Sequence, residues 1–242
     1  MFGYLRLEML RLMRDGGYLF MTLIMPVVTY LVFTNLSSVT GQDHREAALY
    51  AMVGMAGFGA LGAVLNNGVG VAEDKSLGWI RQLRLLPLSP LQVVAARTLC
   101  GMAVAFPPIA AVCLLGALVN GVSLGAGQWL AIVALLWLGI APIAVLAMGI
   151  GYLFDAQKAQ MSGALGYLGL SLIGGLWIPI KQFPHWLQTV ATFTPANRYG
   201  ELSWRIAFGG TFSVAAAAGL LAWFAIFGGF AVYAYRRSVR TA

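Results

Sequence analysis

Apolar runs long enough to cross a bilayer recur six times along this chain, near 18–36, 47–70, 99–119, 129–154, 160–178 and 212–235. Charged residues lie almost entirely between them. A hydrocarbon core about 30 Å thick needs roughly 20 apolar residues per helical crossing. The pattern therefore predicts an all-α polytopic membrane protein with six transmembrane helices, residues 1–242 forming one transmembrane domain. Composition agrees: at 60 % hydrophobic and 10 % charged residues, the apolar side chains outnumber what a water-soluble core could bury.

Three segments depart from the spanning pattern. In residues 1–16, Phe2, Leu5, Met9, Leu12 and Met13 share one helical face, while Tyr4, Glu8, Arg11, Arg14 and Asp15 gather opposite. This reads as an amphipathic interfacial helix ended by Gly16 and Gly17, or as a cytoplasmic extension of the first span. Its charges and the length of the following apolar run exclude a cleavable signal peptide. Residues 71–90 form the longest loop on the side of the termini. Residues 179–211 are too polar and too interrupted by proline for a full span, yet carry Trp186, Tyr199 and Trp204, aromatics that settle at a membrane–water boundary.

Charge orients the chain. Arg6, Arg11 and Arg14 precede the first span; Lys75, Arg81, Arg84 and Arg97 lie between the second and third. Lys158 follows the fourth, and Arg236, Arg237 and Arg240 follow the last. The opposite side holds only Arg45, Lys181, Arg198 and Arg205. Positive flanks stay inside, so both termini are expected in the cytoplasm. The net charge of +7 is thereby explained by the membrane, and no nucleic-acid partner is expected.

Within the spans, small residues are concentrated. The second carries Gly54, Ala56, Gly57, Gly59, Ala60, Gly62 and Ala63; the fifth carries Ser162, Gly163, Gly166 and Gly169. Small side chains let helices approach closely in lipid, within one chain or between two copies. Pro26, Pro107, Pro108 and Pro142 should disturb three helices. No Asp, Glu, Lys or Arg lies near the middle of any span, which disfavours a carrier driven by ion or proton coupling. The deepest polar residues, Asn66 and Asn67, either hydrogen-bond between helices or touch a substrate. Cys100 and Cys113 are most simply apolar packing residues.

Enzyme chemistry finds no motif. His44 and His185 lie in separate loops, with no H-E-x-x-H pair, nucleophile elbow or phosphate-binding loop. If ATP drives the protein, another subunit must hydrolyse it.

Two loops point to a function. The first begins with Glu73 and Asp74, followed by Leu77, Ile80, Leu83 and Arg84 at helical spacing, and stops at Pro87 and Pro90. Acidic residues suit a helix start, so a short amphipathic helix is expected here. The second runs Gly174-Gly175-Leu176-Trp177-Ile178-Pro179, then Phe183-Pro184 and Leu187, then Pro195-Ala196. In these features the sequence resembles the permease subunits of type-2 ABC exporters, in the drug- and antibiotic-exporting branch. Glu73, Gly78, Leu83 and Pro87 match that family's loop between spans two and three. The proline at the exit of span five, followed by short helices, matches its outer segment.

The resemblance implies a dimer of permeases, each docked on one of two copies of an ABC-type ATPase. ATP and Mg would be bound by the partner, and no cofactor by this chain. Glu73, Lys75, Gly78, Trp79, Ile80, Arg81, Leu83 and Pro87 would form the coupling helix that contacts the ATPase. Pro179, Phe183, Pro184, Trp186 and Leu187 would form an outer gate. Met21, Met25, Tyr30, Phe33, Asn66 and Asn67 are candidate pathway-lining residues. The expected setting is the plasma (inner) membrane of a prokaryote, among membrane lipids, with a lipophilic drug or antibiotic-like small molecule as substrate. A lipid, a lipid-linked glycan, a passive carrier and a membrane scaffold are the alternatives.

Overall fold

A computed structural model of the chain describes residues 16–40, 44–77 and 90–241. Residues 1–15 of the expected interfacial helix (1–16) and residues 78–89 of the expected coupling loop (71–90) lie outside the described residues. What is described is all helical, with no strand among the described residues. The elements are α1 (Gly16–Leu19), a π-helical turn (Phe20–Ile24), α2 (Met25–Thr40), α3 (His44–Ser76), α4 (Pro90–Leu118), α5 (Ala126–Gly139), α6 (Ala141–Leu153) and α7 (Ala156–Ile173). A 3-10 turn (Ile180–Gln182), α8 (His185–Phe193), α9 (Pro195–Ala207) and α10 (Val214–Thr241) follow. Four helical stretches among the described residues are long and apolar enough to cross a membrane: His44–Ser76, Leu91–Leu118, Ala126–Leu153 and Val214–Val239. Thr22–Leu36 is a shorter apolar helix. α7 has 18 residues, but Gln157, Lys158, Gln160 and Ser162 make its first turns polar.

The small-residue run makes α3 the centre of the fold. Its most apolar stretch is 94 % buried inside the chain, and Gly59 shows how. A β-carbon placed there would lie 2.8 Å from the Pro108 ring, 2.9 Å from the Thr22 carbonyl and 3.2 Å from Pro26. Three helical elements thus meet at one missing side chain. A β-carbon on Gly68 would collide with the Ala147 carbonyl, and one on Gly151 with the Gly68 carbonyl, so α3 and α6 touch backbone to backbone. Gly54, Gly57, Gly59, Gly62 and Gly68 of the second span are therefore spent within the chain. The fifth span differs: a β-carbon at Gly163 would approach Val69 at 3.3 Å, whereas one at Gly169 would meet nothing within 4 Å.

The prolines act unevenly. Pro26 follows the π-helical turn, where widening the helix relieves the clash of a proline ring with the carbonyl four residues earlier. Pro142 is the second residue of α6, and the fourth predicted span is broken into α5 and α6 at Ile140. Pro107 and Pro108 do not end α4, which runs unbroken through them.

Three boundaries correct the sequence reading. Gly16 and Gly17, expected to end a helix, are themselves helical, in α1. α7 ends at Ile173, five residues before the expected limit, because Gly175 adopts φ +77° and turns the chain. Most consequential, α3 continues to Ser76, so Glu73 and Asp74 lie in its last turns. The dipole there opposes a negative charge, and a tertiary ion pair outweighs it, as described below.

Enlarging Gly59 should overpack all three contacts. Gly59→Val is expected to cost about 1–3 kcal/mol and lower the melting temperature by roughly 5 °C, read by thermal denaturation in detergent. Gly169→Val, with open space around it, should leave that temperature unchanged.

Candidate functional site

Two sites lie at opposite ends of α3. At the first, the chain leaves α3 for residues 78–89 and returns in α4. The Asp74 carboxylate accepts a 2.9 Å hydrogen bond from the Arg97 guanidinium, joining the last turn of α3 to the second turn of α4. Both side chains are largely buried, at 17 % and 10 % exposure. The neighbouring Lys75 ammonium donates to the carbonyls of Tyr152 (3.0 Å) and Phe154 (2.8 Å). These carbonyls end α6, where a cation is favoured by the helix dipole and satisfies otherwise orphaned acceptors. Asp155 then caps α7 by accepting from the Lys158 N–H at 2.9 Å. That hydrogen bond, with the Lys158 ammonium at 3.0 Å, holds the Asp155 carboxyl below the usual carboxylate range.

The stem of the 78–89 segment is thus bound to three helices. Of the predicted coupling residues described here, Lys75 is engaged in this clamp and Glu73 is exposed; Gly78, Trp79, Ile80, Arg81, Leu83 and Pro87 lie outside the described residues. Asp74 and Arg97 were not singled out as site residues by their sequence. The available signal was an acid and a base flanking one interspan loop. Nearby, Asn67 is buried facing Gly101 of α4, and its amide oxygen has no partner among the described residues; Asn66 is exposed.

At the far end of α3, a cavity of about 1360 Å³ opens among α2, α3, the 177–182 turn and α9. One wall is aromatic. The rings of Tyr50 and Trp204 stack at 4.6 Å with 4° between planes. The Trp204 indole N–H donates to the Tyr50 carbonyl at 3.1 Å, and the Tyr50 hydroxyl donates to the Gly175 carbonyl. Phe33 meets Trp177 edge to face at 6.3 Å. The other wall is charged. Glu201 accepts from Arg198 at 2.9 Å and from Arg205 at 3.1 Å, each about one turn of α9 from it, and Glu46 and Lys181 also face the space. Local geometry explains α9: Thr194 caps it by accepting from the Asn197 N–H at 3.2 Å, and Pro195 opens its first turn. Asn197 donates to the Gly174 carbonyl at 3.0 Å, which seats α9 against the end of α7.

This cavity contains Pro179 and Phe33 from the predicted sets. It does not bring in Phe183, Pro184, Trp186 or Leu187. Trp186 is 68 % exposed and shares an outward stripe of α8 with Val190 and Phe193. Tyr30 is fully buried in the core, Met25 packs against the core, and the side chain of Met21 lies outside the description. The residues missed were Glu46, Tyr50, Trp177 and the Arg198–Glu201–Arg205 group. Only the last had a local signal, charges spaced three and four apart on one helix. Among the described residues no cluster of three or more His, Cys, Asp or Glu could hold a metal.

The Asp74–Arg97 pair makes a stability prediction. Arg97→Ala removes the ion pair of a mostly buried carboxylate and is expected to cost about 1–3 kcal/mol, below the value for a fully buried pair because some water remains. Replacing both partners, Asp74→Asn with Arg97→Gln, should recover most of the lost melting temperature. An equal loss in the single and double variants would show that packing, not charge, holds this corner.

Comparison with known proteins accounts for the architecture. Residues 35–234 match the model of the family described as ABC-2 family transporter protein. Over 207 residues the chain is 27 % identical to the "Putative transport permease YvfS" of Bacillus subtilis (strain 168), covering 84 % of each chain. With the match extending over most of its length and over both ends of α3, the chain belongs to the ABC-2 family of transporter membrane proteins.

Proposed function

We propose that this chain is the membrane subunit of an ATP-driven exporter that moves a lipophilic, drug- or antibiotic-like molecule outward across a prokaryotic plasma membrane. The observation that carries this reading is the anchoring of the helix ends that flank residues 78–89. A loop that only joined two spans would need no fixed stem, since exposed loops move freely. Here Asp74 engages α4 and Lys75 engages the end of α6, so a push on the segment reaches three helices. ATP hydrolysis belongs to a separate ABC-type subunit, which binds ATP and Mg and docks on residues 71–90. Two permeases work with two such ATPases.

In this reading α1–α2 and α7 also cross the bilayer, giving six spans. The termini and the 78–89 segment face the cytoplasm, and the cavity faces outward. The apolar residues that α7 leaves exposed, Met161, Leu165, Leu168 and Leu172, meet lipid or the second copy. Trp186, Val190 and Phe193 of α8 lie in the outer interface, where aromatic side chains are favoured. A gate at 179–187 would work through the 3-10 turn beside the cavity.

Purification of the tagged chain from its native membrane should recover a near-stoichiometric partner carrying a G-x-x-x-x-G-K-[ST] loop, and Glu73→Ala with Gly78→Leu should abolish the capture. Lys75→Met should keep the partner and its basal ATP hydrolysis but lose roughly tenfold of substrate-stimulated turnover, an effect of a little over 1 kcal/mol on the transmitted step. A chain that is stable, dimeric and always recovered alone would remove the ATP-driven reading.

A further inference from the structure

We infer that the cavity at the far end of α3 is a binding site for an anionic amphiphile, its phosphate or carboxylate head among the basic residues and its alkyl tail along α2. The shape comes first. The cavity is larger than the roughly 300–1,000 Å³ of an ordinary small-molecule pocket, and Phe33 and Leu36 of α2 line it. Leu36 lines it and also lines a second, almost wholly apolar groove of about 460 Å³ with Val28, Leu31, Val32 and Asn35. Leu36, Val32 and Val28 follow one another at four-residue spacing and are all exposed, so they form a stripe along one face of α2. That stripe is roughly 12 Å long at 1.5 Å per residue. A chamber with one charged and one aromatic wall, sharing Leu36 with an apolar stripe, fits a molecule with a head and a chain better than a compact hydrophile or a purely apolar solute.

Charge selects the head. Three cationic side chains face the chamber: Lys181, Arg198 and Arg205. Glu201 uses its two oxygens on the two arginines, at 2.9 and 3.1 Å, and accepts from the Ser213 hydroxyl at 3.5 Å. One carboxylate shared by two guanidiniums leaves a net positive pair. Arg205 is half exposed and keeps N–H donors beyond the one it gives to Glu201. The Lys181 ammonium has no ion-pair partner among the described residues. The remaining acid, Glu46, stands in the first turn of α3, where the partial positive charge of the helix end offsets it. A head bearing phosphate or carboxylate gains charge-assisted hydrogen bonds from this wall, while a quaternary ammonium head meets three cations against two carboxylates. Trp177 and Phe33, packed edge to face, add apolar lining to the chamber near Leu36.

The assignment deepens the exporter reading by naming a substrate class, and its test needs no ATPase, so failure to bind and failure to couple are separate results. The purified full chain in phosphatidylcholine nanodiscs is titrated with dodecyl phosphate brominated along its tail, which quenches nearby tryptophan. A brominated dodecyltrimethylammonium of equal length is the control. Saturable quenching is expected for the phosphate and only linear partitioning for the ammonium. Trp177→Phe should remove part of the saturable signal. Lys181→Glu, on an exposed side chain, should weaken the phosphate about fivefold, and adding Arg205→Gln should bring the loss to about tenfold or more, with gel-filtration profiles unchanged. Equal quenching by the ammonium, or an apparent Kd unmoved by Lys181→Glu, would overturn the proposal. Repeating the titration in phosphatidylglycerol-containing discs identifies the source of the anion. Displacement of dodecyl phosphate marks a bilayer lipid, and undiminished binding marks a free amphiphile.

Discussion

The backbone contact between α3 and α6 is the constraint on which the remaining structure depends. In lipid there is no hydrophobic gain from bringing two apolar helices together, so association rests on close packing. Gly68 and Gly151 each leave a gap that the other helix's main chain fills. A single methyl at either would force the helices apart. With α6 held this close, the Tyr152 and Phe154 carbonyls fall within reach of Lys75, and the α6–α7 junction is carried to the end of α3. The other neighbours of α3 meet it at separate gaps, Gly59 for α4 and the π-helical turn, Gly62 for the Tyr167 ring of α7, and Gly57 for the Tyr199 hydroxyl of α9. Its central position thus follows from the distribution of its glycines around the helix.

Much of this architecture was legible in the sequence. Apolar run length located the long helices, because the thickness of a bilayer is a one-dimensional requirement that residue order expresses directly. The crowding of Gly and Ala in 54–63 marked the most enclosed helix, and Pro26 and Pro142 marked real irregularities. The far ends of elements were less legible. Glu73 and Asp74 look like a helix start by their charge, yet they finish α3. The local dipole preference amounts to less than about 1 kcal/mol at an exposed helix end, and Arg97, 23 residues away from Asp74, supplies a stronger interaction. The cavity was hidden for a related reason. Tyr50 and Trp204 stack across 154 residues of sequence, and no periodicity announces such a pair. The charges of α9 were visible as a pattern, but not that they face Glu46 and Lys181. Likewise, the aromatic content of 183–187 drew attention to Trp186, which faces outward on α8.

The geometry of α3 also limits how its two ends can communicate. As a helix of 33 residues it is roughly 50 Å long, with the Asp74 and Lys75 clamp near one terminus and Glu46 and Tyr50 of the cavity near the other. Sliding α3 by one turn past α6 would present Val64 or Ala72 to the Ala147 carbonyl in place of Gly68, and Val64 has no room there. The two helices must therefore move together or not at all. Contacts with α7 are of another kind: they run through side chains, the Tyr167 ring over Gly62 and Val69 against Gly163, and side chains can change rotamer where a main chain cannot yield. Relative motion is least obstructed between the α3–α6 pair and α7, the helix whose first residue follows Asp155 and whose last leads to Gly175. Because the Tyr50 hydroxyl holds the Gly175 carbonyl and Asn197 holds that of Gly174, such a motion would reach the cavity wall through that turn. A force applied beside Lys75 would then change the space between Trp177 and Trp204 without α3 itself bending.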